Sequence, residues 1–286
     1  METGSLRALL DACITHLKNQ GKSQFTLVAY KKDLEQFVGF LSTKEKDDIR
    51  DIKKEDIDAF LAKLLADNYT KKSASRKLNS IRTFFRYLKA VGTIDQNPSL
   101  DISHPKYTQT PPRILSKLEY RALRDFAKED PRTYGLVELL LQTGLKIGEL
   151  AELRLGDIKE NSIHISHYGK NVEREVPLNK AAKKAVQDYI KVRNGTSDDH
   201  VFVTRSGRPL LIRNIRQIID RCFREVGIEK ATVNDLRNTF IAHQLTNGTS
   251  LEYISHIVGH RRLSSTERFL TLVKEEAEKK ERLGQL

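Results

Sequence analysis

The sequence predicts a mainly α-helical protein with a small antiparallel β-sheet, divided into two domains. Apolar residues recur every three to four positions along most of the 286 residues, which is the period of a helix buried on one side. Two short strand-like runs flank a Gly-Lys turn near the middle of the chain. A proline-rich segment interrupts the helical pattern after about 100 residues, and the total length is sufficient for two domains.

The first hundred residues predict about four helices joined by short turns. Ser23 and Ser73 are candidate N-caps, and Gly92 is a candidate helix stop. The predicted buried stripes contain Phe25, Val28, Leu34, Phe37, Val38 and Leu41, then Ile57, Phe60, Leu61, Leu64 and Leu65, and finally Leu78, Ile81, Phe84, Phe85 and Leu88.

The segment "NPSLDISHPKYTQTPPR", residues 97–113, contains four prolines and no periodicity, which favours an extended linker. We therefore predict an N-terminal helical domain over residues 1–105, a linker over 106–112 and a second domain over 113–286.

The second domain begins with a predicted capping box between Ser116 and Glu119. The next helix, "PRTYGLVELLLQTG", starts with a proline and ends at Gly144. Strands are predicted for "SIHIS" and "REVPL" on either side of the turn, and a third for "HVFV" before Ser206-Gly207. Helices are predicted over residues 179–193, 212–226, 233–246, 250–258 and 265–280.

The chain is strongly basic, with 50 Lys and Arg against 38 Asp and Glu, a net charge of +12 and a pI near 9.5. This excess favours a polyanionic partner, and nucleic acid is the first candidate. The basic residues are not confined to one amphipathic helix or terminus, which argues against a membrane surface. The third helical stripe carries basic residues on its opposite side, and we predict that they face DNA phosphates rather than only solvent: Arg76, Lys77, Arg82, Arg86 and Lys89.

The sequence lacks an apolar run of the roughly 18 residues needed to span a bilayer, and it begins without a signal-peptide pattern. We therefore expect a cytoplasmic protein. Cys13 and Cys222 lie inside amphipathic patterns without partners at metal-ligand spacing, so both are predicted to be small buried residues.

Four segments of the second domain place a basic or imidazole group at an element end or turn. They are "TGLKIGELAELRLGDI" with Lys146, "YGKNVEREVPL" with Lys170, "VNDLRNTFIAHQL" with Arg237 in the first turn of a helix, and "VGHRRLSSTERFL" with His260 after a glycine stop. In this order and spacing they resemble the catalytic domain of the tyrosine recombinases, most closely the Xer type and the related phage integrases. The resemblance covers nearly the whole chain, because that family also has an N-terminal helical core-binding domain.

The resemblance implies cleavage of a DNA phosphodiester by a tyrosine hydroxyl, through a 3′-phosphotyrosyl intermediate, without metal or cofactor. Arginines and histidines bind the non-bridging oxygens, and a hairpin lysine is the general acid toward the leaving 5′-oxygen. By position, Arg237 matches the second arginine, Lys170 the lysine, and His260 the histidine of the Gly-His motif.

Three positions depart from the family pattern. Lys146 replaces the first arginine and loses its bidentate fork, which we expect to cost roughly 10²-fold or more in rate. Asn234 replaces the first residue of the HxxR motif and is interpreted as variation. Phe269 stands nine residues after His260, where the family has its nucleophile, so the attacking oxygen is missing. Neither Tyr253, on what looks like the packed side of its helix, nor Tyr168 lies at the family's distance from His260, so neither is favoured as a substitute.

Two interpretations of Phe269 stay open. One is a deliberately inactivated recombinase, in which near-isosteric replacements stop cleavage but preserve folding and DNA binding. The other is a natural paralogue that binds DNA in an architectural or regulatory role. A helical protein-interaction module and a type IB topoisomerase fit the four motifs less well. In either case, the resemblance implies two domains that clamp duplex DNA and a DNA-bound homotetramer whose C-terminal helix, residues 275–286, docks on a neighbour. The sequence does not indicate whether an accessory protein takes part.

Overall fold

The computed structural model describes residues 5–108, 110–166, 172–193 and 198–273. The chain divides into two compact units, Met1–Gln109 and Thr110–Leu286. The mainly helical fold with a two-stranded antiparallel sheet confirms the predicted fold class. Within the described residues, none of the helices is long and apolar enough to cross a membrane.

The first unit contains four α-helices, together with a short 3-10 turn at Ile49–Asp51. Ser23 caps its second helix as predicted, accepting a hydrogen bond from the amide of Thr26. The cap of the fourth helix is Thr70 and not the predicted Ser73, because the helix begins three residues earlier than expected. The helices are α1 (Leu6–Asn19), α2 (Gln24–Ser42), α3 (Lys54–Ala66) and α4 (Lys71–Ala90).

The core of the first unit is aromatic. Phe37 packs edge-on against Phe60 with ring centroids 5.2 Å apart, and Phe85 lies 6.3 Å from Phe37. Cys13 is buried in the same core, as predicted. The prediction that Phe25 and Val28 belong to the buried stripe of α2 is wrong: they are 78% and 57% exposed, because that stripe starts at Leu27.

The second unit contains eight described α-helices and the sheet. In the sheet, Ile163 pairs with Val176 and both are fully buried. The elements are α5 (Lys117–Ala127), α6 (Pro131–Thr143), α7 (Ile147–Glu152), β1 (Ser162–Ile165), β2 (Arg174–Pro177), α8 (Lys180–Val192), α9 (Ile212–Glu225), α10 (Val233–Thr246), α11 (Leu251–Ile257) and α12 (Ser264–Glu267).

The predicted third strand, "HVFV", is not a strand. Its residues form only isolated bridges, between Arg154 and His200 and between Val203 and Pro209. Val201 and Phe202 are fully buried, so the apolar run reflects core packing rather than strand pairing. A short buried run cannot distinguish these two cases by its sequence.

Two glycines end the helices that border the candidate site. Gly144 follows α6 with a φ of 63°, and a Cβ there would overlap the Phe240 ring. Gly259 follows α11 with a φ of 66°, and a Cβ there would lie 2.9 Å from the Arg174 guanidinium. Left-handed backbone and lack of space both require glycine at these positions.

The second unit has a large core and a smaller apolar cluster. The large core spans α5 to α10 and contains Cys222, which is buried as predicted. The smaller cluster joins α10, α11 and the segment after α12, and it includes Phe240, Ile254, Val258 and Phe269. It therefore attaches the last described segment to the helix that carries Arg237. The predicted helix over 265–280 is described only to residue 273.

Candidate active site

Arg237 is a buried guanidinium held by backbone carbonyl groups. It lies in the second turn of α10, not the predicted first turn, because α10 begins at Val233. Its side chain donates to the carbonyl oxygen of Gly144 and, at 2.7 Å, to that of Val258. Burial lowers its pKa to about 10, against the opposing effect of Glu149 and together with a smaller lowering from Arg174. Among the described residues, the guanidinium is thus oriented by carbonyl dipoles rather than by a direct bond to a carboxylate.

Lys146 is the N-cap residue of α7, two residues after Gly144. Its backbone amide donates to Glu149 at 2.9 Å, and its ammonium group lies 3.4 Å from the carbonyl oxygen of Gly259 and 3.4 Å from Glu149. Burial lowers the pKa of Lys146, and the positive charges of Arg237 and Arg174 act in the same direction, against the effect of Glu149. The side chains of Lys146 and Arg237 therefore meet at the same turn, because Lys146 contacts the carbonyl oxygen of Gly259 and Arg237 that of Val258.

A buried ion pair supports this convergence. The guanidinium of Arg174 donates to both carboxylate oxygens of Glu149, at 3.0 and 2.8 Å, and both side chains are 1% exposed. Arg174 also donates at 2.7 Å to the carbonyl oxygen of Ile257. It therefore ties β2, α7 and the end of α11 together beneath the Gly259 turn. No sequence motif singled out this pair.

His260 follows Gly259 and is fixed on two sides. Its backbone amide donates to the carbonyl oxygen of Ser255 at 2.9 Å, and its Nδ1 lies 2.8 Å from the hydroxyl of the fully buried Thr266. Burial lowers the pKa of His260 to about 4, helped by the nearby charges of Arg237, Lys146, Arg268 and Arg174. The imidazole is therefore neutral at pH 7.

Asn234 and Phe269 differ in their surroundings. Asn234 lies in the first turn of α10 and is exposed. Phe269 is only 2% exposed and packs in the smaller apolar cluster, with the guanidinium carbon of Arg268 5.9 Å from its ring centroid. Phe269 is thus an ordinary core residue in this conformation, nine positions after His260.

Three predicted features lie outside the described residues: the hairpin Lys170, its neighbour Tyr168 and the segment 275–286. The prediction that Tyr253 lies on the packed side of its helix is wrong, because its side chain is 49% exposed.

Only some of the basic side chains of α4 are exposed to solvent. Lys77 is predicted on the side opposite the apolar stripe, but it is 5% exposed and its ammonium lies 2.9 Å from the buried Asp33. Arg76 also pairs with Asp33, with its side chain 53% exposed. Arg82 donates to the carbonyl oxygens of Ser99 and Ile102, so it holds the chain after α4 in place. Arg86 and Lys89 are exposed, as a phosphate-binding role would need.

A second basic surface was missed. Arg213, Arg216, Arg221 and Arg224 are all exposed on α9, whose opposite face is buried through Ile215 and Ile219. The signal was present in the stretch "RNIRQIIDRCFRE", where four arginines alternate with the apolar stripe. We call these four residues the α9 arginine face.

One group of potential metal ligands occurs among the described residues, at Asp198, Asp199 and His200. Asp199 binds the guanidinium of Arg154 at 2.6 Å, and Asp198 binds the ring of His200 at 2.6 Å. The contacts of these side chains with one another and with Arg154 account for the cluster without a metal.

Comparison with known protein families supports the resemblance on which the candidate site was identified. The Phage integrase family matches residues 113–276, and the N-terminal SAM-like domain of phage integrases matches residues 10–92. The first match alone covers more than half of the chain. The chain therefore belongs to the phage integrase family, the tyrosine recombinases.

The chain is similar along most of its length to proteins of the Xer type. Tyrosine recombinase XerC of Thermodesulfovibrio yellowstonii is 31% identical over 270 residues, covering 89% of this chain and 88% of the relative. Tyrosine recombinase XerD of Listeria monocytogenes is 30% identical over 268 residues, covering 89% of this chain and 90% of the relative.

Solved structures show the same fold. A lambda integrase dimer bound to a COC′ core site has a TM-score of 0.78 at 20% identity, covering 92% of this chain and 97% of that one. A lambda integrase tetramer bound to a Holliday junction has a TM-score of 0.77 at 21% identity, covering 91% of this chain and 78% of that one.

Proposed function

We propose that this protein is a tyrosine recombinase homologue of the cytoplasm that binds a duplex recombination site and does not cleave it. The observation that carries the proposal is Phe269, a buried ring without a hydroxyl at the position where the family has its nucleophile. Phenylalanine preserves the packing of a tyrosine ring and lacks the oxygen that attacks phosphorus. Cleavage through this position is therefore impossible rather than slow.

The rest of the site is suited to a phosphodiester. Arg237 is fixed by two carbonyl groups, and the ammonium of Lys146 approaches the turn that ends in His260. Carbonyl oxygens orient the guanidinium but do not cancel its charge, so the turn keeps a positive field that an anion can neutralise. The arrangement favours phosphate binding even without a nucleophile.

Lys146 weakens catalysis in this proposal without abolishing binding. Its ammonium is a single point charge, whereas an arginine at this position could contact two phosphate oxygens at once. Lys170 is the proposed general acid on the strength of its match to the family motif. Asn234 is exposed in the first turn of α10 and retains an amide donor for a phosphate.

Affinity for DNA should come from exposed basic residues on both units. On the first unit these are Arg86 and Lys89, and on the second the α9 arginine face, which is a helix surface of the size that enters a groove. If about ten phosphates are neutralised, the slope of log affinity against log salt is about −9. Because a lambda integrase of the same fold is a tetramer when bound to a Holliday junction, we extend the proposal to a DNA-bound tetramer in which residues 275–286 contact a neighbour.

The test is a covalent-adduct assay on a duplex selected from a randomised pool by the protein itself. The unsubstituted chain and a Phe269→Tyr, Lys146→Arg variant are each incubated with that duplex and separated on denaturing gels. We expect retention of a preferred sequence by both proteins and an adduct only with the double variant, with Phe269→Tyr alone giving a weaker adduct. A matched control adds Lys170→Ala to the double variant, which should lose the adduct and keep the affinity.

Each outcome has a clear meaning. An adduct with the double variant indicates a recombinase stopped at its nucleophile. Specific retention with no adduct from either protein favours a natural binding paralogue with an architectural or regulatory role. An adduct formed by the unsubstituted chain, or retention without any preferred sequence and without salt dependence, contradicts the proposal.

A further inference from the structure

The hydroxyl of Thr266 is a buried polar group with a single hydrogen-bond partner among the described residues. Thr266 is 0% exposed and lies in α12, and its carbonyl oxygen accepts from the amide of Phe269 at 3.0 Å. Across the part of the chain that the structure describes, its hydroxyl has one hydrogen-bond partner, Nδ1 of His260 at 2.8 Å. The Thr266 side chain thus connects the imidazole of His260 to the segment that carries Phe269.

The direction of this hydrogen bond follows from counting protons. A hydroxyl carries one hydrogen and can also accept, and a neutral imidazole has one N–H and one bare nitrogen. If Nδ1–H donated to Thr266, the hydroxyl hydrogen would be buried without an acceptor among the described residues, which is unfavourable. If Thr266 donates to a bare Nδ1, the hydroxyl hydrogen and the ring nitrogen are both satisfied.

We infer that Thr266 is a positioning residue that donates its hydroxyl hydrogen to Nδ1 of His260 and thereby holds the ring in the tautomer with the proton on Nε2. This inference rests on the proposed function, because it deepens the role of the same phosphate-binding site. The remaining ring nitrogen, Nε2, then meets a phosphate oxygen as an N–H donor while the ring is neutral.

The surroundings of His260 explain why the position of the ring proton matters for phosphate binding. Burial and the nearby charges of Arg237, Lys146, Arg268 and Arg174 all disfavour a positive charge on the ring, so His260 cannot rely on protonation to become a donor. A neutral ring donates to phosphate only through its N–H, and a bare Nε2 would repel the phosphate oxygens. By donating to Nδ1, the Thr266 hydroxyl keeps the ring proton on Nε2, where it can face the phosphate.

The experiment is a nuclear magnetic resonance measurement of the histidine ring nitrogens in the full chain at pH 7 without DNA. The His260 signals are identified by their loss in His260→Gln. We expect a bare Nδ1 and a protonated Nε2. Thr266→Ser keeps the hydroxyl and should preserve this pattern, whereas Thr266→Val keeps the shape and should shift the tautomer ratio by roughly tenfold, the scale of one net hydrogen bond.

A protonated Nδ1 in the unsubstituted chain would overturn the inference, and that measurement needs no variant to fold. An unchanged tautomer ratio in a folded Thr266→Val variant would overturn it equally. Because these signals are recorded without DNA, their failure is distinguishable from a failure of the proposed function, which is tested by duplex retention.

A second arm measures the consequence at the site. In the Phe269→Tyr, Lys146→Arg background, Thr266→Val should slow adduct formation by up to about tenfold and should weaken DNA binding by no more than the same factor, because His260 supplies one phosphate contact among several. Thr266→Ser should restore the rate. Equal rates for the valine and serine variants would show that the hydroxyl does not act through His260.

Discussion

Two buried cations, one in each unit, are compensated in opposite ways. In the first unit, the ammonium of Lys77 lies 2.9 Å from Asp33, and both side chains are nearly inaccessible, at 6% and 2% exposure. In the second unit, the guanidinium of Arg237 is held by the carbonyl oxygens of Gly144 and Val258. The first cation is neutralised by a full charge, and the second is oriented by dipoles.

The difference shows what makes a buried basic residue available to an anion. A carboxylate partner cancels the charge of Lys77, so a phosphate would gain little and would have to displace Asp33. Carbonyl groups accept two of the N–H donors of Arg237 and leave its charge, so an incoming phosphate is attracted rather than repelled. Burial of a cation alone therefore does not identify a binding site, and the identity of its partners does.

The largest effect is expected from removing the carboxylate in the first unit. Asp33→Asn leaves Lys77 buried without a counter-charge, so we expect the free energy of unfolding to fall by about 3–5 kcal/mol. Chemical denaturation of the full chain measures this change. The matched control is Asp33→Leu with Lys77→Met, which removes both charges; because the buried Ser80 hydroxyl also loses its acceptor on Asp33, we expect a smaller loss than in the single variant rather than none. If the single and the double variants were equally destabilised, the ion pair would not be the cause.

The next effect concerns the turn that supplies carbonyl groups to the site. Gly259→Ala combines a φ of 66° with a Cβ placed 2.9 Å from the Arg174 guanidinium, which is fixed by Glu149. We expect a loss of about 2–4 kcal/mol in the free energy of unfolding, measured by denaturation.

Gly248→Ala is the control for this substitution. Gly248 has a φ of 84°, and a Cβ added there would have no heavy atom within 4 Å beyond its chain neighbours, so the variant isolates the backbone strain of about 1–2 kcal/mol. Equal losses at the two positions would show that the contact with Arg174 has no energetic consequence.

A smaller effect is expected from pH. The pKa of His260 is about 4 in the folded protein, below its ordinary value of 6.5. Between these values the unfolded chain binds a proton that the folded chain does not, so the stability contribution is complete above pH 6.5 and declines as the pH falls toward 4. We expect a loss of roughly 1–3 kcal/mol over this range, and His260→Gln should remove that component of the slope. An unchanged slope in His260→Gln would assign the pH dependence to other groups.

The smallest effect is expected in the salt dependence of DNA binding. Arg237→Met removes one phosphate contact, so the slope of log affinity against log salt should become less steep by about 0.9. The Asp33→Leu, Lys77→Met variant should keep the original slope, because Lys77 is already neutralised. Fluorescence titration of the selected duplex at several salt concentrations measures both. A change of slope in the second variant would mean that Lys77 does reach the DNA.

Much of the fold was predictable because helices and their ends follow local rules. The capping box at Ser116 and Glu119, the start of α6 at Pro131 and its end at Gly144 are all recognisable within a few residues of sequence. The errors arose where a local pattern has more than one tertiary meaning. The run "HVFV" is buried without pairing as a strand, and Phe25 and Val28 lie just outside the stripe that begins at Leu27.

The candidate site, like the fold, was only partly predictable from the sequence. Motif order and spacing alone brought Lys146, Arg237, His260 and Phe269 to notice, and the structure places the first three around the turn after α11. Thr266 and the Glu149–Arg174 pair were missed, because no pattern in the sequence distinguishes a buried hydroxyl or ion pair from an ordinary one.

The helical elements, the family and the lack of a hydroxyl at position 269 can all be read from the amino-acid sequence, since each depends on residue identity and short spacing. Which buried cations keep their charge available to an anion depends instead on the packing of the folded chain. Asp33 reaches Lys77 across 44 positions, and the Gly144 carbonyl reaches Arg237 across 93. Contacts between such distant positions are set by how the helices pack, and the electrostatic field of a site is the sum of those contacts.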